Sequence, residues 1–225
     1  TLSKTGNFTL QTAVTLLSNA VTQKASRSDP TPNVTLLDAC RAGDVDEVRN
    51  VVGQRGVSLN CRGVCRDTPV IVAAEKGHRE VVKLLVNDGA DVTLLNDVGN
   101  NILHVACRGS DVEMVKFLLS LNMVDINSRG WRNRTPVLEA AVNGRRDVVE
   151  LLMSEGADVS MGDDDGNSTL HLACVGGYVE TVKFVLSQNV VDIDARNTLG
   201  QTAAAVARSR GHQHVVDLLM SHSGQ

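Results

Sequence analysis

Large aromatic side chains are nearly missing from this chain: Phe, Tyr and Trp together make up 2% of its 225 residues, whereas apolar residues as a class reach 42%. A core without rings has to be filled by Ala, Val, Leu and Ile, and side chains that small pack to native density only where backbones approach closely. Cysteine is sparse and odd in number, five residues, and the spacings form no disulfide framework. This points to reduced thiols and a cytoplasmic or nuclear setting. No run approaches the roughly 18 to 20 apolar residues of a membrane span, and no basic–apolar secretory signal opens the chain, so membrane insertion is not expected. An excess of positive charge is also lacking. Lys plus Arg number 22 against 26 Asp plus Glu, a net charge of −4, and the cations are scattered, which disfavours nucleic acid as a partner.

The patterns that carry chemistry are missing too. There is no Gly-rich phosphate loop and no nucleophile elbow. The one run of carboxylates, Asp163-Asp164-Asp165, reads as a solvated turn. The expectation is therefore no enzyme, no cofactor and no small-molecule substrate.

Repetition is what the chain has in abundance. Ala39-Cys40, Ala73-Ala74, Ala106-Cys107, Ala140-Ala141, Ala173-Cys174 and Ala207-Arg208 recur at spacings of 34, 33, 34, 33 and 34 residues. A unit this short cannot bury its own apolar face, so consecutive copies must stack into a solenoid. The fullest copy reads Thr68-Pro69-Val70-Ile71-Val72-Ala73-Ala74, then Gly77-His78, Val81-Val82, Leu84-Leu85 and Gly89-Ala90-Asp91-Val92. Thr68 suits an N-cap, and Pro69 suits the first helical position, where a missing N–H leaves nothing unpaired. Gly77 ends the first helix, and the Val and Leu pairs give the second an apolar stripe.

Copies two apart resemble each other more than neighbours do. Thr68-Pro69, Gly77 and Gly89-Ala90-Asp91-Val92 return after 67 residues as Thr135-Pro136, Gly144 and Gly156-Ala157-Asp158-Val159. Leu103-His104 and Val115-Lys116-Phe117 likewise return as Leu170-His171 and Val182-Lys183-Phe184. Duplication of a two-unit block explains this pattern.

These units resemble the ankyrin repeat, over about residues 33 to 222. The resemblance implies an all-α solenoid of six helix pairs with hairpin fingers, a repeat domain at 33–225, and an N-terminal extension at 1–32. In the extension, Leu10, Val14, Leu17 and Val21 lie at helical spacing and Pro30 and Pro32 mark a linker. Two readings of it stay open: a helix covering the end of the stack, or a segment that occupies the groove or recruits something else. The resemblance also makes His104 and His171 turn-holding residues, and Cys107 and Cys174 substitutes for alanine, rather than metal ligands. Cys61 and Cys65 have no second ligand pair to make a zinc site.

In the ankyrin fold, fingers and the exposed side of the first helices form a concave groove. Carried onto this sequence, that surface includes Asp97, Val98, Arg108, Trp131, Arg132, Arg134, Asn143, Asp164, Asp165 and Leu199. Trp131, the chain's only Trp, is expected at an exposed finger tip beside two arginines, residue types that dominate binding hot spots. Arg108, Arg132 and Arg134 on one side and the three aspartates on the other predict an electrically banded groove. The implied function is a non-enzymatic module that binds a protein or extended peptide. The alternative is a structural spacer or self-associating scaffold. Leu119 followed by Asp125-Ile126-Asn127 also resembles the pattern of asparaginyl hydroxylation in some ankyrin repeats, with Asn127 as the acceptor.

Overall fold

In a computed structural model, residues 31–109 and 111–223 are described. They form twelve α-helices in six antiparallel pairs, with no strand among the described residues. The first helices are α1 (Pro32–Ala42), α3 (Pro69–Glu75), α5 (Ile102–Arg108), α7 (Pro136–Val142), α9 (Thr169–Gly176) and α11 (Ala203–Ser209). The second helices are α2 (Val45–Val52), α4 (Arg79–Asn87), α6 (Val112–Ser120), α8 (Arg146–Ser154), α10 (Val179–Ser187) and α12 (Gln213–Ser223). The expected extension lies, up to residue 30, outside the described residues.

Local signals set the helix starts. Thr68 accepts from the Ile71 amide at 3.4 Å, with Pro69 at the first helical position. Asn101 and Ser168 form reciprocal capping boxes in which the third helical residue is a histidine, His104 or His171. Small residues then let first helices stack on one another: Ala73, Cys107, Ala140, Ala173, Cys174 and Ala207 are all fully buried. Second helices contribute one apolar stripe each, such as Val81, Val82 and Leu85 of α4. One continuous core runs through all six pairs.

Polar staples tie alternate junctions, the first unit to the second, the third to the fourth and the fifth to the sixth. His104 directs Nε2 to the carbonyl oxygens of Ser128 and Arg134, both at 3.1 Å, and His171 does the same to Gln201 at 3.0 Å. Burial holds His104 below the ordinary histidine pKa, so the ring is neutral and donates from one nitrogen. At the opposite end of the first helices, His78 reaches the Arg41 carbonyl at 3.1 Å, Arg145 the Arg108 carbonyl at 2.7 Å, and His212 the Val175 carbonyl at 3.2 Å. These bonds satisfy carbonyls that a helix end leaves free.

Candidate protein-binding surface

Each finger after the first pair is a five-residue loop closed by a bond from its first amide to its fifth carbonyl, and two designs alternate for most of the stack. Fingers three, five and six begin with Asn96, Asp163 and Asn197, whose side chains accept the amides two and four residues on. Fingers two and four begin with Gly63 and Gly130 and wind through a short 3-10 turn. In these, two consecutive non-glycine residues take left-handed backbone: Cys65 and Arg66 (φ 57° and 55°), and Arg132 and Asn133 (φ 54° and 61°). Such conformations cost of order 1 kcal/mol each and are held by their surroundings. Arg62 and Arg129 supply the hold, each donating to a carbonyl in its own finger and to the carbonyl just before the next, that of Leu95 or Gly162. A side chain at Gly130 would drive Cβ to 2.3 Å from Asn100 Oδ1.

Neighbouring fingers are joined through the main chain. Asp97 donates to the Cys65 carbonyl at 2.9 Å, Asp164 to Arg132 at 3.0 Å, and Thr198 to Asp165 at 2.9 Å. The third and fourth fingers break the series, because the Trp131 amide donates instead to the Asn100 side chain at 2.8 Å.

The structure corrects the picture of Trp131 as a free, exposed ring with two free cations. Trp131 is half-buried, with the Arg132 and Arg134 guanidinium groups 5.5 and 5.0 Å from its ring centroid. Arg132 is exposed and pairs with Asp165 on the next finger. Arg134 is not a surface cation at all. Its side chain is 10% exposed and lies 3.5 Å from both Glu139, on α7, and Asp163. Arg108 pairs with Glu139 as well, at 3.2 Å. The carboxylate run is also split: Asp163 is buried and organises its loop, while Asp164 is exposed. The expected cationic band is therefore neutralised from within, two guanidiniums against two buried carboxylates beneath the ring.

The other candidates lie along the same crest. Val98 and Leu199 are exposed at 45% and 76%. Asp97 is exposed and faces Arg66 at 3.8 Å. Asn143 sits at the end of α7 and donates to the Glu139 carbonyl at 2.8 Å. Glu139 and Asp163 were missed as functional residues in the sequence reading, although one signal was available. Glu139 stands in register with Val72, Val105, Leu172 and Val206, and Arg134 with Asn100 and Asn167, so the fourth unit departs twice with opposite charge.

The second finger carries Asp67 where the fourth carries Arg134. Burial raises the Asp67 pKa above the usual carboxylate range, and Glu75 and Asp97 add to the shift against a hydrogen bond from Asn96. The repeat cysteines are packing residues, with burial pushing the Cys40 and Cys174 thiols up to about 12.

The profile of the ankyrin repeats matches three times, at residues 36–130, 89–163 and 137–225. The chain belongs to the ankyrin repeat family. Members of this family are protein-interaction modules. Among curated proteins, the chain is similar to the probable palmitoyltransferase AKR2 of Saccharomyces uvarum, 34% identical over 84% of this chain and 31% of the relative. It is also similar to palmitoyltransferase AKR1 of Saccharomyces cerevisiae, 27% identical over 83% of this chain and 30% of the relative. The chain thus spans about a third of these relatives. Among solved structures, a chain from the complex of the Bd0816 predatory endopeptidase with immunity protein Bd3460, from Bdellovibrio bacteriovorus, superposes with a TM-score of 0.73. That match is 22% identical and covers 87% of this chain and 99% of the other. It establishes likeness of fold. No helix among the described residues is long and apolar enough to cross a membrane.

Proposed function

We propose that this ankyrin repeat chain binds a protein or an extended peptide across its finger crest and concave face, and has no catalytic chemistry of its own. The observation that carries this reading is Trp131: a half-open indole flanked by two guanidiniums, on a main chain tied to the third finger through its amide, set between fingers whose tips expose Val98 and Leu199. A rigid aromatic anchor loses little conformational freedom when it is covered, which favours affinity. In this reading Trp131, Val98 and Leu199 make apolar contact, and Asp97, Asp164, Asp165, Arg132 and Asn143 form the polar rim. Arg134 acts from beneath by holding the ring, and Arg108 by pairing with Glu139. Since the cations are internally paired and Asp164 is exposed without an ion pair, the rim favours a partner with basic or neutral groups over an acidic one.

In this reading the palmitoyltransferase activity in the relatives' names lies outside the region they share with this chain, which is supported by the engagement of the repeat histidines and cysteines in staples and packing. A cytoplasmic or nuclear setting, a repeat domain of about six units at 33–225 and an extension at 1–32 complete the proposal. Asn127, half-buried and accepting the Asp158 amide at 2.8 Å, is the candidate hydroxylation site.

Affinity of wild type and Trp131→Ala for a purified partner, found by proximity labelling, tests the reading. Binding is expected to weaken by about 2 kcal/mol or more, with folding stability falling by about 1 kcal/mol through the lost cation–π contacts. Wild-type affinity in the variant would sink the concave-face reading. End-to-end self-association that survives the substitution would favour the spacer or scaffold instead.

A further inference from the structure

Two junctions in the stack derive from the same block of sequence, 67 residues apart, and close differently. Between the fourth and fifth pairs, Arg146 lies over Phe184, 5.4 Å from the ring centroid, and pairs with Glu150 and with its neighbour Asp147, both at 3.2 Å. Tyr178 fills the turn, so tightly that a Cβ on Gly144 would sit 2.3 Å from its ring. Between the second and third pairs the counterparts are Arg79, Phe117, Lys83 and Asp111. Lys83 cannot pair with Arg79. That guanidinium turns to Glu80 at 3.7 Å and Asp111 at 3.6 Å, and none lies over Phe117 among the described residues. Asp111 occupies the position from which His78, Arg145 and His212 reach back to the preceding unit, and like Tyr178 at the closed junction it makes no such bond among the described residues; what it lacks beside Tyr178 is the ring that fills the turn. It caps its own helix through the Met114 amide at 3.1 Å.

The backbone follows these side chains. Every other successive pair of second helices packs along several residues, whereas α4 and α6 barely touch, and α6 meets its own partner α5 over fewer residues than other second helices meet theirs. A cleft of about 320 Å³ opens there, lined by Arg79, Lys83, Glu113, Lys116, Phe117 and Ser120. Its lysines are committed, Lys83 to Glu80 at 3.1 Å and Lys116 to Glu113 at 2.9 Å, so the cleft presents no free cation to a ligand. The concave side of the same junction is firmly tied. Asp97 donates to the Cys65 carbonyl, Asn96 donates to Asp67 at 2.9 Å, and α3 packs on α5.

We propose that this junction is a hinge. Stability in a repeat array is the sum of unit terms and nearest-neighbour interfaces, so the array divides and bends where the interface is weakest. With the finger side fixed and the convex side open, the motion left is a tilt of the first two pairs that opens and closes the α4–α6 cleft. Such a tilt changes the curvature of the concave face, which makes the hinge a means of adapting that face to a partner. The hinge goes beyond the binding reading and stands without it.

Spin labels on unnatural amino acids at Asn87 and Met123, both exposed and flanking the cleft, report its width. Labels at the block-related exposed positions Ser154 and Val190 report the closed junction. A broader distance distribution for the first pair is expected in the full chain. Transplanting the closed junction with Lys83→Glu plus Asp111→Tyr should narrow it. If that double variant fails to fold, Asp111→His supplies a donor like those of His78 and His212 and should narrow it too. In native-state hydrogen exchange, α1–α4 should exchange as one unit, on the order of tenfold faster than α7–α10, with the step at this junction. Equal widths at the two junctions would overturn the hinge, as would a width unchanged by the closing substitutions. So would protection that rises smoothly inward from the terminus, the pattern of simple end fraying.

Discussion

The second and fourth fingers share a backbone and differ in almost every side chain that reaches the groove. Both begin with glycine, pass through two left-handed residues and are braced by an arginine from the preceding turn. On that common frame, Val64, Cys65, Asp67 and Val72 of one correspond to Trp131, Arg132, Arg134 and Glu139 of the other. The arginines of finger four are neutralised by Glu139 on α7 and by aspartates of the next finger, and they flank an aromatic ring. Finger two leaves Asp67 near Glu75 and Asp97 with incomplete compensation, which is why its pKa rises. Backbone geometry is thus inherited through local bonds, while groove chemistry changes by pairs of substitutions whose charges must balance beneath the surface.

The sharpest way to break this comparison is to convert the buried ion pair toward its neighbours. Glu139→Val alone leaves Arg134 and Arg108 short of a countercharge and should cost about 3 kcal/mol in urea unfolding. Adding Arg134→Asn, the residue found at Asn100 and Asn167, should bring stability back to within about 1 kcal/mol of wild type. Equal losses in the single and double variants would show that the pair is not the coupled unit described.

The glycine at the head of each finger gives the next contrast. Gly130→Ala meets Asn100 Oδ1 at 2.3 Å and His104 at 2.7 Å, whereas Gly63→Ala meets only the flexible end of Leu37 at 3.1 Å. Thermal or chemical unfolding should report a loss of about 2 kcal/mol for the first and below about 1 kcal/mol for the second. Finding the order reversed would mean the fourth finger is looser than its contacts imply.

Asp67 provides the smallest effect and the clearest sign. Its folded pKa lies above the unfolded one, so the protonated form is favoured on folding, and this advantage disappears as pH rises through the folded pKa. Asp67→Asn keeps an acceptor for Asn96 and removes the ionisation. It should stabilise the protein by up to about 0.5 kcal/mol at pH 7. The gain should vanish below the ordinary carboxylate pKa. A variant less stable than wild type at pH 7 would show that the carboxylate is compensated after all.

Much of the architecture was legible because it rests on short-range rules. The 33- and 34-residue spacing, Thr68-Pro69 at a helix start, and Ala or Cys at the close contacts each act within a few residues. The histidine roles were legible through the family resemblance. The exposure of Trp131 and the freedom of Arg134 were not. Arg134 meets Glu139 across a finger-to-helix corner and Asp163 a full unit later, so only the direction of three side chains decides whether the groove carries charge. Asp163 was misjudged for a similar reason: a run of three aspartates looks solvated, yet the first turns inward to accept the Asp165 and Asn167 amides.

By itself the sequence determined that six short helix pairs stack, where each begins, and that a two-unit block recurs, since periodicity and capping are properties of neighbouring residues along the chain. The tertiary structure alone decided that the cations of the fourth unit are neutralised beneath a half-buried Trp131. It also decided that the duplicated block closes tightly at Arg146 and Phe184 but leaves a cleft at Arg79 and Phe117. Both outcomes depend on which of several partners a long side chain reaches, and that competition is settled in space, between units about 33 residues apart, by differences of a few kcal/mol or less.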